Sequence, residues 1–474
     1  MKKFQPARRQ FLKMGSAALS APFLLPRGLP AQDNVQKKFL FVIAASGGGS
    51  VIDSFIPLVS GPAAYNADQI TEVPDSVFKA VKPLANSIQG VIDLGNGYDL
   101  SVFLTKHGQD MSLMTSEVSS VNHLIAARRA MTGDNVNGGR TIAEAVAAKY
   151  GQSFLLPNIA MTTGGYGDRG GDGTLENWAR PEPVADPLMM AFATHGSKGI
   201  EGALNSGELQ AARAMRFELE KVSRFGREFA SSEQLKTYIH NRETLVQALE
   251  KGDTMANLLL VDPETHDFSK FNLQASPEFA KIIEVFPNIA TDPFEAQVAT
   301  GFLLAKTGLA NAITVAPTQS PLITPEGTPN APIAFDWSHL DHRGAQNAMW
   351  SYIMSSTDRL IDLLKTTDID NKPELGKMWD HSFIYIATEF GRDKVSSGGS
   401  GHHLNNGSLL ISPMLKGNRI FGGVVPETGL TFGFDPISGA PTPGSHMKEK
   451  HIYSAICQAL GIEFDNRVDM SAVI

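Results

Sequence analysis

The sequence predicts an α/β fold on a mostly parallel sheet, and three observations predict it. Phe39-Leu40-Phe41-Val42-Ile43-Ala44-Ala45 is a continuous apolar run, the pattern of a strand buried on both faces. A second run, Phe383-Ile384-Tyr385-Ile386-Ala387, ends abruptly in Thr388-Glu389-Phe390-Gly391-Arg392; sites in open α/β sheets collect at such strand ends. Between the two runs, helical segments and a further short strand follow one another, the order that lays helices against a sheet.

Length and composition bound the function classes. With 474 residues the chain can bury a full core, as one large domain or two to three ordinary ones. A net charge of −8 argues against a nucleic-acid partner. The single cysteine, Cys457, rules out an intrachain disulfide and a cysteine-rich zinc site; a secreted chain of this size needs no disulfide. Arg8-Arg9-Gln10-Phe11-Leu12-Lys13 precedes a mildly apolar stretch from Met14 to Pro26, then Leu29-Pro30-Ala31. Basic region, apolar region and small-residue cleavage site, in that order, form a signal peptide. We expect a twin-arginine signal over residues 1–31, with Ala7 where Ser or Thr is usual. Cleavage after Ala31 would leave one domain over 32–474 with no membrane-spanning segment. The twin-arginine translocase is then a partner during export, the destination is periplasmic or secreted, and the route, which carries folded proteins, suits an inserted metal.

The elements follow in chain order. After the first strand come Ser46-Gly47-Gly48-Gly49-Ser50 and then Asp53. Glycines there can bring backbone N–H groups to an anion, which makes Gly48 and Gly49 anion-binding candidates, but the dinucleotide spacing is missing. Asp53 reads as a helix N-cap or surface carboxylate; resemblance to phosphatase-like chains, whose first strand ends in a metal-binding aspartate, implies a metal ligand instead. Asn122 to Gly133 is a helix with a Thr-Gly stop that carries His123 and Arg128, with Ser119 and Ser120 just upstream. Thr141–Tyr150 is a second helix, and 164–172 is a glycine loop without chemistry. The stretch of about 160–330 reads as variable, a helical insertion or cap. Its segments Glu208–Ala230 and Ser231–Lys251 are charged amphipathic helices. Leu258–Val261 is a short strand or a helix end. Pro293–Lys306 is a helix, Ala312–Val315 a strand, and Pro317–Pro332 a proline-rich loop.

A polar cluster follows Ile333-Ala334-Phe335, read as a short strand. Asp336, His339, Asp341 and His342 fall within seven residues, and carboxylates with imidazoles from one tight loop are metal-ligand material. Either Asp336/His339 or Asp341/His342 could be the ligating pair. The next helix is expected over Gln346–Lys365. Asp380 and His381 stand at the start of the second apolar run, the wrong end for a site, and read as structural. A glycine- and serine-rich loop then brings His402, His403, Asn405 and Asn406 before the apolar Ser408–Ile411. A glycine-punctuated β segment, 417–433, and a helix over Lys450–Leu460 finish the chain.

Thr388-Glu389-Phe390-Gly391-Arg392, Gly401-His402-His403 and Gly407, behind a twin-arginine leader, resemble the domain-of-unknown-function family 1501, whose members are exported proteins with an alkaline-phosphatase/sulfatase-like core. The resemblance implies a three-layer, alkaline-phosphatase-like α/β fold with a mostly parallel central sheet and an inserted helical region. It implies a hydrolase of phosphate or sulfate esters of small molecules or polymers, dependent on a divalent metal, zinc or similar. His123 falls at the nucleophile position, where related enzymes use Ser, Thr or a modified Cys, with Ser119 and Ser120 as substitutes. Glu389 would bind metal or act as acid–base, and Arg392 or Arg128 would hold anionic oxygens. Metal ligands would come from Asp336, His339, Asp341, His342, His402 and His403. The chain departs from the pattern at His402, where the family has Asp, at Ser50, where related hydrolases place Asp, and at Phe390, where they place His. A non-catalytic protein that binds an envelope or extracellular partner on the same scaffold is therefore the competing expectation.

Overall fold

A computed structural model describes residues 37–84, 97–162, 164–191, 206–236, 238–239, 258–262, 264–265, 275–317 and 334–474. The expected signal segment, most of the second charged helix and nearly all of the proline-rich loop lie outside these residues.

The first apolar run is the middle of the sheet because both of its faces find apolar partners. In β1 (Phe39–Ala45), Phe39, Phe41, Ile43 and Ala45 join one core cluster and Leu40, Val42 and Ala44 the other. Burying each large side chain stabilises the fold by about 1.5–3 kcal/mol. The other strands of this sheet are β2 (Met111–Glu117), β3 (Asn158–Met161), β4 (Glu182–Pro183), β5 (Ala312–Val315), β6 (Ser382–Thr388), β7 (Asn405–Ile411) and β8 (Arg419–Phe421). Their order in space is β8–β2–β7–β6–β1–β5–β3–β4. Every pairing is parallel except those of β7, which runs antiparallel to both β2 and β6.

Helices cover both faces. On one lie α1 (Leu100–His107), α5 (Pro293–Lys306) and α6 (His342–Thr366); on the other lie α2 (His123–Thr132), α3 (Ile142–Tyr150) and α7 (Glu449–Ala459). The architecture is thus three-layered α/β. Of the charged middle, α4 (Ser206–Val222) and a short helix Arg224–Glu228 are helical as expected. Three expectations need correction. The 160–330 stretch is not wholly an insertion, since β4, α5 and β5 belong to the sheet and its covering layer. Ala334–His339 is a 3-10 helix, not the end of a strand, because Ala334 takes φ 40° and turns the chain at once. Leu258–Val261 contributes only an isolated bridge, Leu259 to Ala275. A fourth correction concerns α6, which starts four residues earlier than expected, at His342, because Asp341 caps it by accepting from Gly344 N at 3.0 Å.

The topology brings the polar segments together. β1, β2 and β6 deliver Ser46, Val118 and Glu389 at their carboxyl ends. The reversed β7 begins at that same end, with Asn405 opposite Glu117, and so returns His402 and His403 to it. Among the described residues no helix is long and apolar enough to cross a membrane.

Candidate functional site

Glu389 sits one residue past β6 and is 3% exposed. A buried carboxylate needs partners: Gly47 N donates to Oε1 at 2.9 Å, His123 Nδ1 lies 2.6 Å from the same oxygen, and the Tyr166 hydroxyl also bonds the carboxylate. His123 is the first residue of α2, held there by Asn122, which caps the helix through Ile125 N. The bond to Glu389 lifts the His123 pKa above its ordinary value against the effect of burial. The other ring nitrogen, Nε2, stands 3.3 Å from Asp336 Oδ2.

Asp336 comes from the 3-10 turn, and Arg392 holds its second oxygen, with Nη2 2.5 Å from Oδ1. The Arg392 guanidinium is fully buried. It also donates to the carbonyls of Gly47, Phe335 and Ser400, and Nη1 lies 3.3 Å from His339 Nε2. Arg392 thus ties the glycine loop, the 3-10 turn and the 393–401 loop to one carboxylate. Its donors are directed at protein acceptors and not, as expected, at an anion.

His402 completes the group. Its Nδ1 contacts Val121 O at 3.1 Å, and its Nε2 lies 3.6 Å from Asp336 Oδ1. Burial and then Arg392 lower its pKa, which favours the neutral imidazole. Phe390 stacks on His402 with ring centroids 4.1 Å apart and packs edge-on to His123 at 4.9 Å. That ring explains Gly48: a Cβ there would stand 2.6 Å from Phe390, and φ is +84°, so only glycine fits. The ligand atoms of His123, Asp336 and His402 all lie within 4.8 Å of one another. His339 stands beside them, 48% exposed, with Nε2 3.0 Å from His402 Nε2 and 3.8 Å from Asp336 Oδ1.

The donor set fits a divalent metal. Two imidazoles and one carboxylate make a three-ligand zinc-type set, and each has its other polar atom fixed: His123 by Glu389, His402 by the Val121 carbonyl, Asp336 by Arg392. Such outer partners set the tautomer and aim of metal ligands.

Other expected residues stand elsewhere. Asp341 is the α6 cap. His342 turns inward, with Nε2 3.0 Å from Asp53 Oδ2 and Nδ1 2.8 Å from Ser400 Oγ. Asp53 is therefore neither a helix cap nor a surface carboxylate. Burial works against its charge, but His342, Ser50 and Lys394 prevail and hold its pKa at about 2. The glycine loop is fastened rather than open: Gln346 accepts from Ser50 N at 2.7 Å and donates to Gly48 O at 3.0 Å, so Gly48 serves packing, and Gly49 lies against Trp350. Arg128 pairs with Asp168 at 2.5 Å. Ser119 bonds Glu449 through N and Oγ, and Ser120 Oγ accepts from Asn122 N. His403 faces a cleft of about 500 Å³ that adjoins His402, its Nδ1 accepting from Asn405 N. The sequence reading missed the anchoring work of Arg392, Gln346 and the Asp53–His342–Ser400 chain; only the abrupt charge of Arg392 at a strand end signalled any of it. A second His/Asp group, His107 with Asp358 and Asp362, is already bridged by Lys106 at 2.5 and 2.6 Å.

No family model and no curated protein matches the chain. Two solved structures are similar to it. The structure of Ps i-CgsB in complex with k-i-k-neocarrahexaose aligns at 8% identity and TM-score 0.34, over 92% of this chain and 75% of that one. The phosphonate monoester hydrolase SpPMH from Silicibacter pomeroyi aligns at 12% identity and TM-score 0.30, over 92% and 75%.

Proposed function

We propose that the chain is an exported, metal-dependent hydrolase of phosphate or sulfate esters on an alkaline-phosphatase/sulfatase-like core, with the metal held by His123, Asp336 and His402. One observation carries the reading: three ligand-type side chains converge, and each is pinned through its remaining polar atom. A divalent metal there, zinc or similar, supplies a Lewis acid that polarises the ester. Glu389 keeps Nε2 of His123 pointed inward, and Arg392 does the same for Asp336 Oδ2. His339, half exposed beside the trio, moves a proton between solvent and the reacting oxygens. Phe390 walls the trio from the interior. The Arg8-Arg9 leader supports passage through the twin-arginine translocase to a periplasmic or secreted location.

One observation favours a second reading, a non-catalytic binding protein. Ser119 and Ser120, the substitute nucleophiles, bond Glu449 and Asn122 rather than the trio. Elemental mass spectrometry of the protein purified after export tests the metal. We expect about one equivalent of a divalent transition metal, lost in His402→Ala, and affinity roughly 10–100-fold weaker in Glu389→Gln, the usual cost of losing an outer partner. A folded, metal-free wild type would overturn the reading. Metal-loaded protein that turns over no phosphate or sulfate monoester would select the binding protein.

A further inference from the structure

The glycine loop 164–172 lies closer to the trio than its sequence suggests. Gly165 packs on the backbone of α2: a Cβ there would stand 2.6 Å from Leu124 O and 2.8 Å from Arg128 N. Asp168 ties the loop to the same helix through Arg128. Between these two fastenings stands Tyr166, 3% exposed and part of the core cluster that holds Ala127, Met131 and Ala387. Its hydroxyl reaches the end of β6, 3.4 Å from Ala387 O, and bonds the Glu389 carboxylate. Burial, and then the Glu389 charge, raise the phenol pKa well above its ordinary value, so the hydroxyl keeps its proton and donates. The carboxylate that faces His123 Nδ1 is therefore held by donors from two separate loops, Gly47 N after β1 and Tyr166 beside α2. A carboxylate so held obliges Nδ1 of the neutral ring to carry the hydrogen. That leaves the lone pair on Nε2, the nitrogen 3.3 Å from Asp336.

We propose that Tyr166 is a positioning residue: through Glu389 it fixes the tautomer and the aim of His123, which makes the glycine loop a working part of the site. Without that donor the buried Glu389 loses one of the bonds that keep it charged and in place, and Nδ1 no longer has to carry the hydrogen. Gly165 is what lets the ring reach, since a side chain there would push the loop off α2. The gain in metal affinity that follows rests on the hydrolase reading, whereas the aim of His123 does not.

Two readouts on Tyr166→Phe test this, one of them independent of metal. NMR of the His123 ring nitrogens in metal-free protein at alkaline pH should show hydrogen on Nδ1 alone in the wild type and on either nitrogen in the variant. Zinc titrated against a chelating dye should bind the variant roughly tenfold more weakly, the lower end of what losing an outer partner costs. Adding Tyr166→Phe to Glu389→Ala should cause no further loss, because the two act in series. Thermal melts confirm that the variants are folded, and Gly165→Ala, which displaces the ring and keeps the hydroxyl, should reproduce both effects if Tyr166→Phe does not fold. A single Nδ1 tautomer retained in folded Tyr166→Phe, or a loss of affinity that adds to that of Glu389→Ala, overturns the positioning role. A wild type that binds no zinc, but whose tautomer shifts in Tyr166→Phe, upholds the role and sinks the hydrolase; zinc bound equally by wild type and variant, with the tautomer unchanged, does the reverse.

Discussion

His342 and His402 show what single residues can and cannot tell in advance. Both are histidines in polar loops, yet one is locked in the interior and the other faces the site. The difference is which turn of backbone carries each: His342 falls on the first turn of α6 and points at Asp53, while His402 sits in a two-residue ladder with Arg392. Residue type was legible, and of the expected residues the structure brings Asp336 and His402 together with His123. The direction of each side chain was not legible, because it depends on partners hundreds of residues away. The Asp53–His342 pair also makes a prediction in acid. Asp53 titrates near 3.9 when unfolded and at about 2 when folded, among Ser50, Tyr65, His342 and Lys394. A depressed carboxylate stabilises the fold above its unfolded pKa, and that contribution fades as pH falls from about 4 through 2. Urea titrations at stepped pH should lose roughly 2 kcal/mol from this group over that window. In Asp53→Asn, that part of the slope should vanish; an unchanged slope would show that other carboxylates carry the acid response.

Elements were read more reliably than side chains where local signals agree. The Thr-Gly end of α2 is an αL stop at Gly133, φ 63°, packed on Tyr453. In α3, Thr141 and Glu144 form a capping box, which the sequence T-I-A-E announces. Glu144 has a second duty that no local pattern reveals. It is fully buried and bonds Arg180 at 3.0 Å and Gly170 N at 3.1–3.2 Å, so it fastens the 168–180 loop to α3. Glu144→Ala would leave the mostly buried Arg180 without its carboxylate, bonded only to the carbonyls of Gly170 and Asp172, a loss of about 3–5 kcal/mol. Equilibrium denaturation should show it, with Thr141→Ala costing only about 1 kcal/mol, the worth of a cap. Equal losses would mean that Glu144 acts through the cap alone. The 3-10 turn at Ala334–His339 was misread because three apolar residues before a polar loop look the same in either conformation, and only the positive φ at Ala334 decides.

For the whole molecule, the apolar runs made a mostly parallel sheet legible, but not the order of its strands or the reversal of β7, which depend on how loops cross. The motif resemblance read in the sequence rests on short stretches at the rim of that sheet, and no family model matches the chain. The scaffold has its own consequence in time. β1 is flanked by β5 and β6, residues 312–315 and 382–388. At roughly 5–20 residues per second of synthesis, the apolar segment 39–45 emerges tens of seconds before both of its neighbours exist. During that interval it is an unpaired, seven-residue, β-prone stretch, the kind of sequence that aggregates when exposed. Stalled chains ending before residue 380 should therefore precipitate or be found on holding chaperones, and chains extending past 411 should not. The strand that centres the finished protein is, during synthesis, its longest-waiting part.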